Sequence, residues 1–163
     1  TEGGGWKFVH AHAGDSRASL VRDRRLHPLT LDHSLLSYDG PDRHRQLQWE
    51  FGNTGVLGRL SPEDRALFDR RNMIAVSLGR VHGTGFSSSG IVVMPGDSIA
   101  LLSDGIIDNL TNRELLSLLL NINSSDPWAG LRELTGSAYY NSSGGTRDQS
   151  KPDDITAQIG IFK

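Results

Sequence analysis

The stretch Ile91–Gly105, "IVVMPGDSIALLSDG", constrains this chain more than any other. Two short apolar runs flank Pro95-Gly96-Asp97, a tripeptide that turns the backbone sharply. Both runs read as strands joined by that turn. The second run stops abruptly at Ser103-Asp104-Gly105, and another carboxylate follows at Asp108. An acid at the end of a buried strand can form a turn or hold a cation, and this stretch alone does not decide between them.

The rest of the chain supplies the surroundings. Residues 6–13 alternate, with Trp6, Phe8, His10 and His12 on one face and Lys7, Val9, Ala11 and Ala13 on the other. Gly14-Asp15-Ser16 interrupts, "RASLVRD" resumes as a strand, "DRR" turns and "LHPLTL" makes a third strand, a β-meander. Residues 34–60 are polar, Gly-rich and irregular, the pattern of a long connection, and long connections tend to be either functional or mobile. Ser61-Pro62-Glu63-Asp64 starts a helix that runs to about Arg70. "NMIAVSLG" is a short apolar piece and "RVHGTGFSSSG" a loop. Thr111-Asn112-Arg113-Glu114 is a capping box before "RELLSLLL". Asp126-Pro127 opens a further helix, residues 141–152 read as a polar linker, and "DITAQIGIF" closes the chain as a strand. Strands and helices in segregated blocks predict an α+β fold with an antiparallel sheet.

Composition excludes several classes. At 163 residues the chain suits one domain with a real core. Net charge is −2, with Lys and Arg dispersed among acids, so no nucleic-acid partner is expected. The absence of cysteine excludes disulfides and thiolate metal sites. No apolar run is long enough to span a bilayer and no signal peptide opens the sequence, so no membrane partner and a cytoplasmic location are expected.

The acids repeat one pattern. Asp15 sits in a turn between strands, Asp104 and Asp108 follow the end of "SIALL", and Asp153 and Asp154 precede the last strand. If these strands are neighbours, their ends meet at one rim of the sheet. Two carboxylates about 5 Å apart repel by about 3 kcal/mol at an effective dielectric of about 20, so a cluster persists where a cation offsets the repulsion. Oxygen ligands without cysteine favour magnesium, manganese or calcium over zinc. Each acid also has an ordinary reading: Asp15, Asp104 and Asp153 as turn residues, Asp108 as a helix cap.

Four segments, in order, resemble the metal-dependent serine/threonine protein phosphatases of the type 2C-like (PPM) family. They are "HAGDSRASLVRDRRLHPLTLDHS", "SPEDRALFDRRNMIAVSLG", "MPGDSIALLSDGIIDNLTNREL" and "KPDDIT". The resemblance implies an antiparallel β-sandwich flanked by helices on both faces, a four-layer αββα fold. It implies hydrolysis of phosphoserine and phosphothreonine in a phosphoprotein substrate by metal-activated water, with two core Mn2+ or Mg2+ ions and a third in many members. By motif, Asp104 and Asp153 are expected to ligate the core metals. Asp15, with Asp104 and Asp108, is expected to hold the additional ion, and Asp154 stands beside the ligands. Residues 35–60 correspond to the family's variable flap.

The family's Asp-Gly-x-Gly-Gly motif does not occur; Asp104-Gly105-Ile106-Ile107 and Asp39-Gly40-Pro41-Asp42 both fail it. The resemblance therefore implies a partial domain across residues 1–163, its C-terminal portion. The residues expected to bind phosphate and bridge the metals belong to the N-terminal portion, so no catalytic residue is assigned here. Weak metal binding and poor turnover by this length alone are expected. So is pairing with the missing N-terminal part or another chain, through open strand edges. The alternative is a catalytically inactive, phosphatase-like binding or regulatory module; a calcium-binding β-domain is a third reading that lacks any EF-hand-like run.

Other residues carry smaller signals. His10 and His12 share a strand face but lack a third ligand in sequence. Asp32-His33-Ser34 has the residue types of a hydrolase triad, yet adjacent residues cannot form its geometry. His44 and His82 are expected in solvated loops. Trp49 and Phe51 read as anchors of the 34–60 region, and Leu115, Leu116, Leu118, Leu119 and Leu120 as helix core.

Overall fold

The computed structural model describes residues 5–36, 40–53, 57–79, 86–144 and 150–163. In chain order its elements are β1 (Trp6–His12), β2 (Arg17–Arg22), β3 (Arg25–Pro28), α1 (Pro41–Asn53), α2 (Pro62–Phe68), β4 (Ser87–Val93), β5 (Ser98–Leu102), α3 (Asp104–Ile107), α4 (Asn112–Leu120), α5 (Pro127–Gly144) and β6 (Ala157–Ile161). A 3-10 turn, Leu57–Arg59, lies between α1 and α2. No described helix is long and apolar enough to cross a membrane.

The strands form two antiparallel sheets, one of order β3-β2-β5-β6 and one of β1 with β4. The four-stranded sheet is covered on both sides. Ser19, Ala100 and Ile159 share one face by register, as do Val21, Ser98 and Ile161. Val21, Ala100 and Ile159 on that face pack with Leu115 and Leu119 of α4 and Leu134 and Ala138 of α5. The opposite face carries Leu20 beside Ile99 and packs on Phe8, Ile91 and Val93 of the β1–β4 sheet. This two-sided cover explains why Ala18, Ser19, Leu20 and Val21 are all buried in succession. Each such apolar side chain contributes about 1.5–3 kcal/mol when fully buried. A helical layer, a four-stranded sheet and a second sheet are thus stacked in the expected α+β sandwich order. The outer face of β1–β4 is open in the described residues, with Val9 and Val92 exposed.

The expected meander is corrected by the pairing. β2 and β3 form a hairpin across Asp23 and Arg24, both with positive φ (51° and 57°), the geometry of a two-residue hairpin turn. β1, however, pairs with β4 and not with β2, so Gly14-Asp15-Ser16 carries the chain from one sheet to the other. The Pro95-Gly96-Asp97 turn does the same between β4 and β5. Alternation identifies a strand's apolar face; it does not identify the neighbouring strand. Gly96 has φ 93°, which suits glycine. Asp97 fastens this corner: its carboxylate accepts from Met94 N at 2.7 Å and from Arg22 Nε and Nη2 at 3.0 and 2.6 Å. Arg22 holds the Asp97 carboxyl below its ordinary range.

Two further expectations are corrected. Residues 41–53, read as irregular, are the helix α1. Its buried face mixes Leu47 and Phe51 with His44 and Gln48, and those polar residues hide the helical periodicity. His44 is therefore buried in α1 and not solvated in a loop. His82 lies outside the described residues. Phe51 meets Phe68 of α2 edge-on, with ring centroids 5.1 Å apart, and an Arg43–Asp64 ion pair joins the same two helices. Phe51 anchors the region as expected, whereas Trp49 is 43% exposed. Residues 87–90, read as loop, belong to β4, and residues 141–144 of the expected linker are the last turn of α5. The other helix starts are where capping chemistry places them. Ser61 Oγ accepts from Asp64 N, Thr111 and Glu114 form the reciprocal capping box, and Asp126 Oδ1 accepts from Ala129 N.

Candidate metal centre

The ends of β5 and β6 create the acidic rim. Ser103 follows β5 and pairs with Thr156 ahead of β6: its N–H donates to Thr156 O and its Oγ accepts from Thr156 N, both at 3.0 Å. Ser103 Oγ also donates to Asp154 O at 3.1 Å. These bonds bring the Lys151–Asp154 segment against the start of α3. Gly105 permits the approach, because a Cβ there would lie 2.3 Å from the Asp154 carbonyl oxygen. Gly105 is thus needed for close packing and not for a left-handed turn, since its φ is not positive.

Three expected ligands converge on one point, the ammonium of Lys151. Its Nζ lies 3.1 Å from Asp104 Oδ2, 3.1 Å from Asp108 Oδ2 and 2.9 Å from Asp153 Oδ2. Asp108 is almost fully buried, and Arg71 Nε stands 3.6 Å from its other oxygen. Burial raises the Asp108 pKa, against the opposing pull of Arg71 and Lys151. The hydrogen bond from Lys151 lowers that of Asp153. Burial opposes the charge on Lys151, yet the surrounding carboxylates hold it protonated more firmly than an ordinary lysine.

Asp15, the fourth expected ligand, stands within the field of this group but makes no ion pair with Lys151. Burial raises its pKa, and the negative charges of Asp104, Asp32 and Asp108 raise it further. Asp154 turns its side chain to solvent; its backbone N–H donates to Asp153 Oδ1 and its carbonyl accepts from Ser103. Asp32 belongs to no triad. It takes a two-pronged ion pair from Arg17, at 2.8 and 2.7 Å, while His33 Nε2 meets Ser87 Oγ at 2.8 Å.

Sequence reasoning missed the cations and their supports. Lys151 carries no motif, and its role follows from Asn109. Fully buried, Asn109 accepts from Lys151 N at 3.2 Å and donates to Lys151 O and Gly105 O, each at 2.9 Å. A buried Asn three-fold bonded in this way is a mount. The one available signal was the residue type itself, an Asn inside an apolar stretch.

The donors suit a hard divalent ion: carboxylate oxygens from separate elements, with no thiolate. Among the described residues, no three acidic or imidazole groups are spaced to close on one ion as they stand, since the ammonium sits between them. His10 and His12 gain a third imidazole in space, His33, whose ring stacks on His12 at 4.5 Å.

No family model matches the chain. Protein phosphatase PhpP of Streptococcus pneumoniae is 28% identical over 137 residues, which cover 84% of this chain and 48% of PhpP. The serine/threonine phosphatase of S. agalactiae superposes with TM-score 0.66 at 26% identity, over 95% of this chain and 54% of that one. The catalytic domain of the serine/threonine phosphatase PstP, solved with two manganese ions, shares the fold with TM-score 0.59 at 23% identity, over 94% and 52% of the two chains. The chain spans about half the length of the relatives it matches. In its ordered motifs, its sandwich and these likenesses, the chain is similar to the C-terminal part of type 2C-like serine/threonine phosphatases.

Proposed function

We propose that the chain is one part of a metal-dependent phosphatase domain that hydrolyses phosphoserine and phosphothreonine in proteins. The carrying observation is the convergence of Asp104, Asp108 and Asp153, from α3 and from the approach to β6, on a single cation position. In this reading Asp104 and Asp153 hold the core Mn2+ or Mg2+, and Asp15 and Asp108 contribute to an additional ion. The chemistry such ions supply when bound is neutralisation of phosphate charge and acidification of a water molecule. The chain's own residues hold and orient. Ser103 and Thr156 fix Asp104 against Asp153, and Asn109 fixes the intervening backbone.

The α1–α2 region is proposed as the flap beside the site. A small cleft lined by Gln48, Phe51, Phe68, Arg71 and Asp108 runs between these helices and the buried acid, which supports that reading. Residues 1–163 form a single partial domain in this proposal, completed by the N-terminal portion that its relatives possess. The test is manganese-dependent hydrolysis of a phosphothreonine peptide by the longer parent protein and by its Asp104→Ala variant. The parent is expected to be active and the variant to lose at least 100-fold. Activity indifferent to chelator, or unchanged in the variant, would sink the reading.

A further inference from the structure

The acids of this site already possess a cation, and it belongs to the chain. We infer that Lys151 is a tethered counter-cation that occupies the divalent-ion position and must swing away before an ion can bind. The inference rests on the proposed reading of Asp104, Asp108 and Asp153 as metal ligands.

Three observations support it. The first is proximity: one ammonium lies 2.9–3.1 Å from one oxygen of each of three carboxylates and donates a hydrogen bond to Asp104 Oδ2. The second is mounting. Asn109 holds both polar groups of the Lys151 peptide, and Pro152 restricts the backbone of Lys151 before it, so the root of the side chain is fixed beside the acids. The third is a way out: the Lys151 side chain is 30% exposed, so it can move to water without opening the core. An ammonium and a divalent ion cannot share oxygens about 3 Å away, because their repulsion is felt at the same short range as the attraction each seeks. Metal binding is therefore an exchange of one cation for another. The metal-free site is not a bare cluster of repelling acids, and the fold does not need metal to tolerate them.

The experiment compares the wild-type chain with Lys151→Met and Lys151→Gln. Mn2+ binding is followed by calorimetry and by the loss of free-ion paramagnetic signal, and unfolding is followed in chelator and in Mn2+. Both variants are expected to bind Mn2+ at least 10-fold more tightly than wild type. In chelator both are expected to melt below wild type, with Mn2+ raising their Tm more than it raises that of wild type. Adding Asp104→Asn to either variant is expected to abolish the gain. Equal Mn2+ affinity in wild type and both variants would overturn the inference. If that shared affinity is lost with Asp104→Asn, the metal reading survives its failure. If no chain binds Mn2+ at all, the inference falls, while the proposed function is judged by the phosphatase assay on the longer protein.

Discussion

Asn109 grips the peptide of Lys151 from both sides, taking its N–H at 3.2 Å and giving a hydrogen to its carbonyl at 2.9 Å. The same side chain reaches Gly105 O, and the backbone carbonyl of Asn109 accepts from Asn141 Nδ2 of α5. One buried side-chain amide thus ties α3 to the approach to β6, and the backbone carbonyl beside it ties both to α5. Asn109→Ala strips partners from three backbone groups, each costing about 1 kcal/mol or more when left unmade, so a loss of about 3 kcal/mol is expected. Urea unfolding measures it. A change below about 0.5 kcal/mol would show that the clamp is not structural.

Gly105→Ala tests the close approach. The added methyl would stand 2.3 Å from Asp154 O and 2.9 Å from its carbonyl carbon, both of them backbone. Either α3 or the Asp153 segment must move. Overpacking of this kind costs about 1–3 kcal/mol, with the upper end expected where backbone opposes backbone. The fall in Tm should come with weaker divalent-ion binding, because the displaced segment carries Asp153. Wild-type stability and ion affinity together would refute the packing role.

Much of this was legible because local chemistry decided it. The capping box at Thr111 and Glu114 and the cap at Ser61 need only neighbours in sequence, and the structure has both. The strand faces were legible from period-two alternation, and the order of family motifs placed Asp104 and Asp153 near each other. Partners distant in sequence were not legible. Nothing in "WKFVHAH" says that β1 pairs with β4, and nothing in "DQSKPDD" says that Lys151 enters the acid cluster. The helix α1 was hidden for a different reason: His44 and Gln48 occupy its buried face, so hydrophobic periodicity fails where polar residues are buried and bonded.

Gln48 gives that last point a measurable form. Its Oε1 accepts from Asp32 N at 2.9 Å and its Nε2 donates to Thr30 O at 3.1 Å, so one side chain acts as a strand partner for residues 30–32. Gln48→Ala leaves a buried N–H and a buried carbonyl unpaired, and about 2 kcal/mol of stability should go. Gln48→Glu keeps the acceptor but loses the donor, and brings a charge close to Asp32, so it should not rescue. Full stability in Gln48→Glu would disprove the assignment of the amide.

The stacked histidines set a pH dependence distinct from that of the acids. Burial, and then the charge of His12, lower the pKa of both His10 and His33; Asp32 partly opposes the shift at His33. A lowered folded pKa means that the unfolded chain binds more protons between the two values, so stability rises with pH there. Stability should therefore begin to fall as pH drops below the ordinary histidine value of 6.5 and continue falling through the lowered folded values. His10 Nδ1 and Nε2 are buried without a hydrogen-bond partner among the described residues, and its ring stacks near Phe8 at 5.7 Å. His10→Phe removes a titrating group and two unpaired nitrogens at similar shape. The variant should be at least as stable as wild type at pH 7 and should show a shallower loss between pH 6.5 and 5, read as urea midpoints across the series. Parallel midpoint curves for the two proteins would show that His10 does not contribute to this slope.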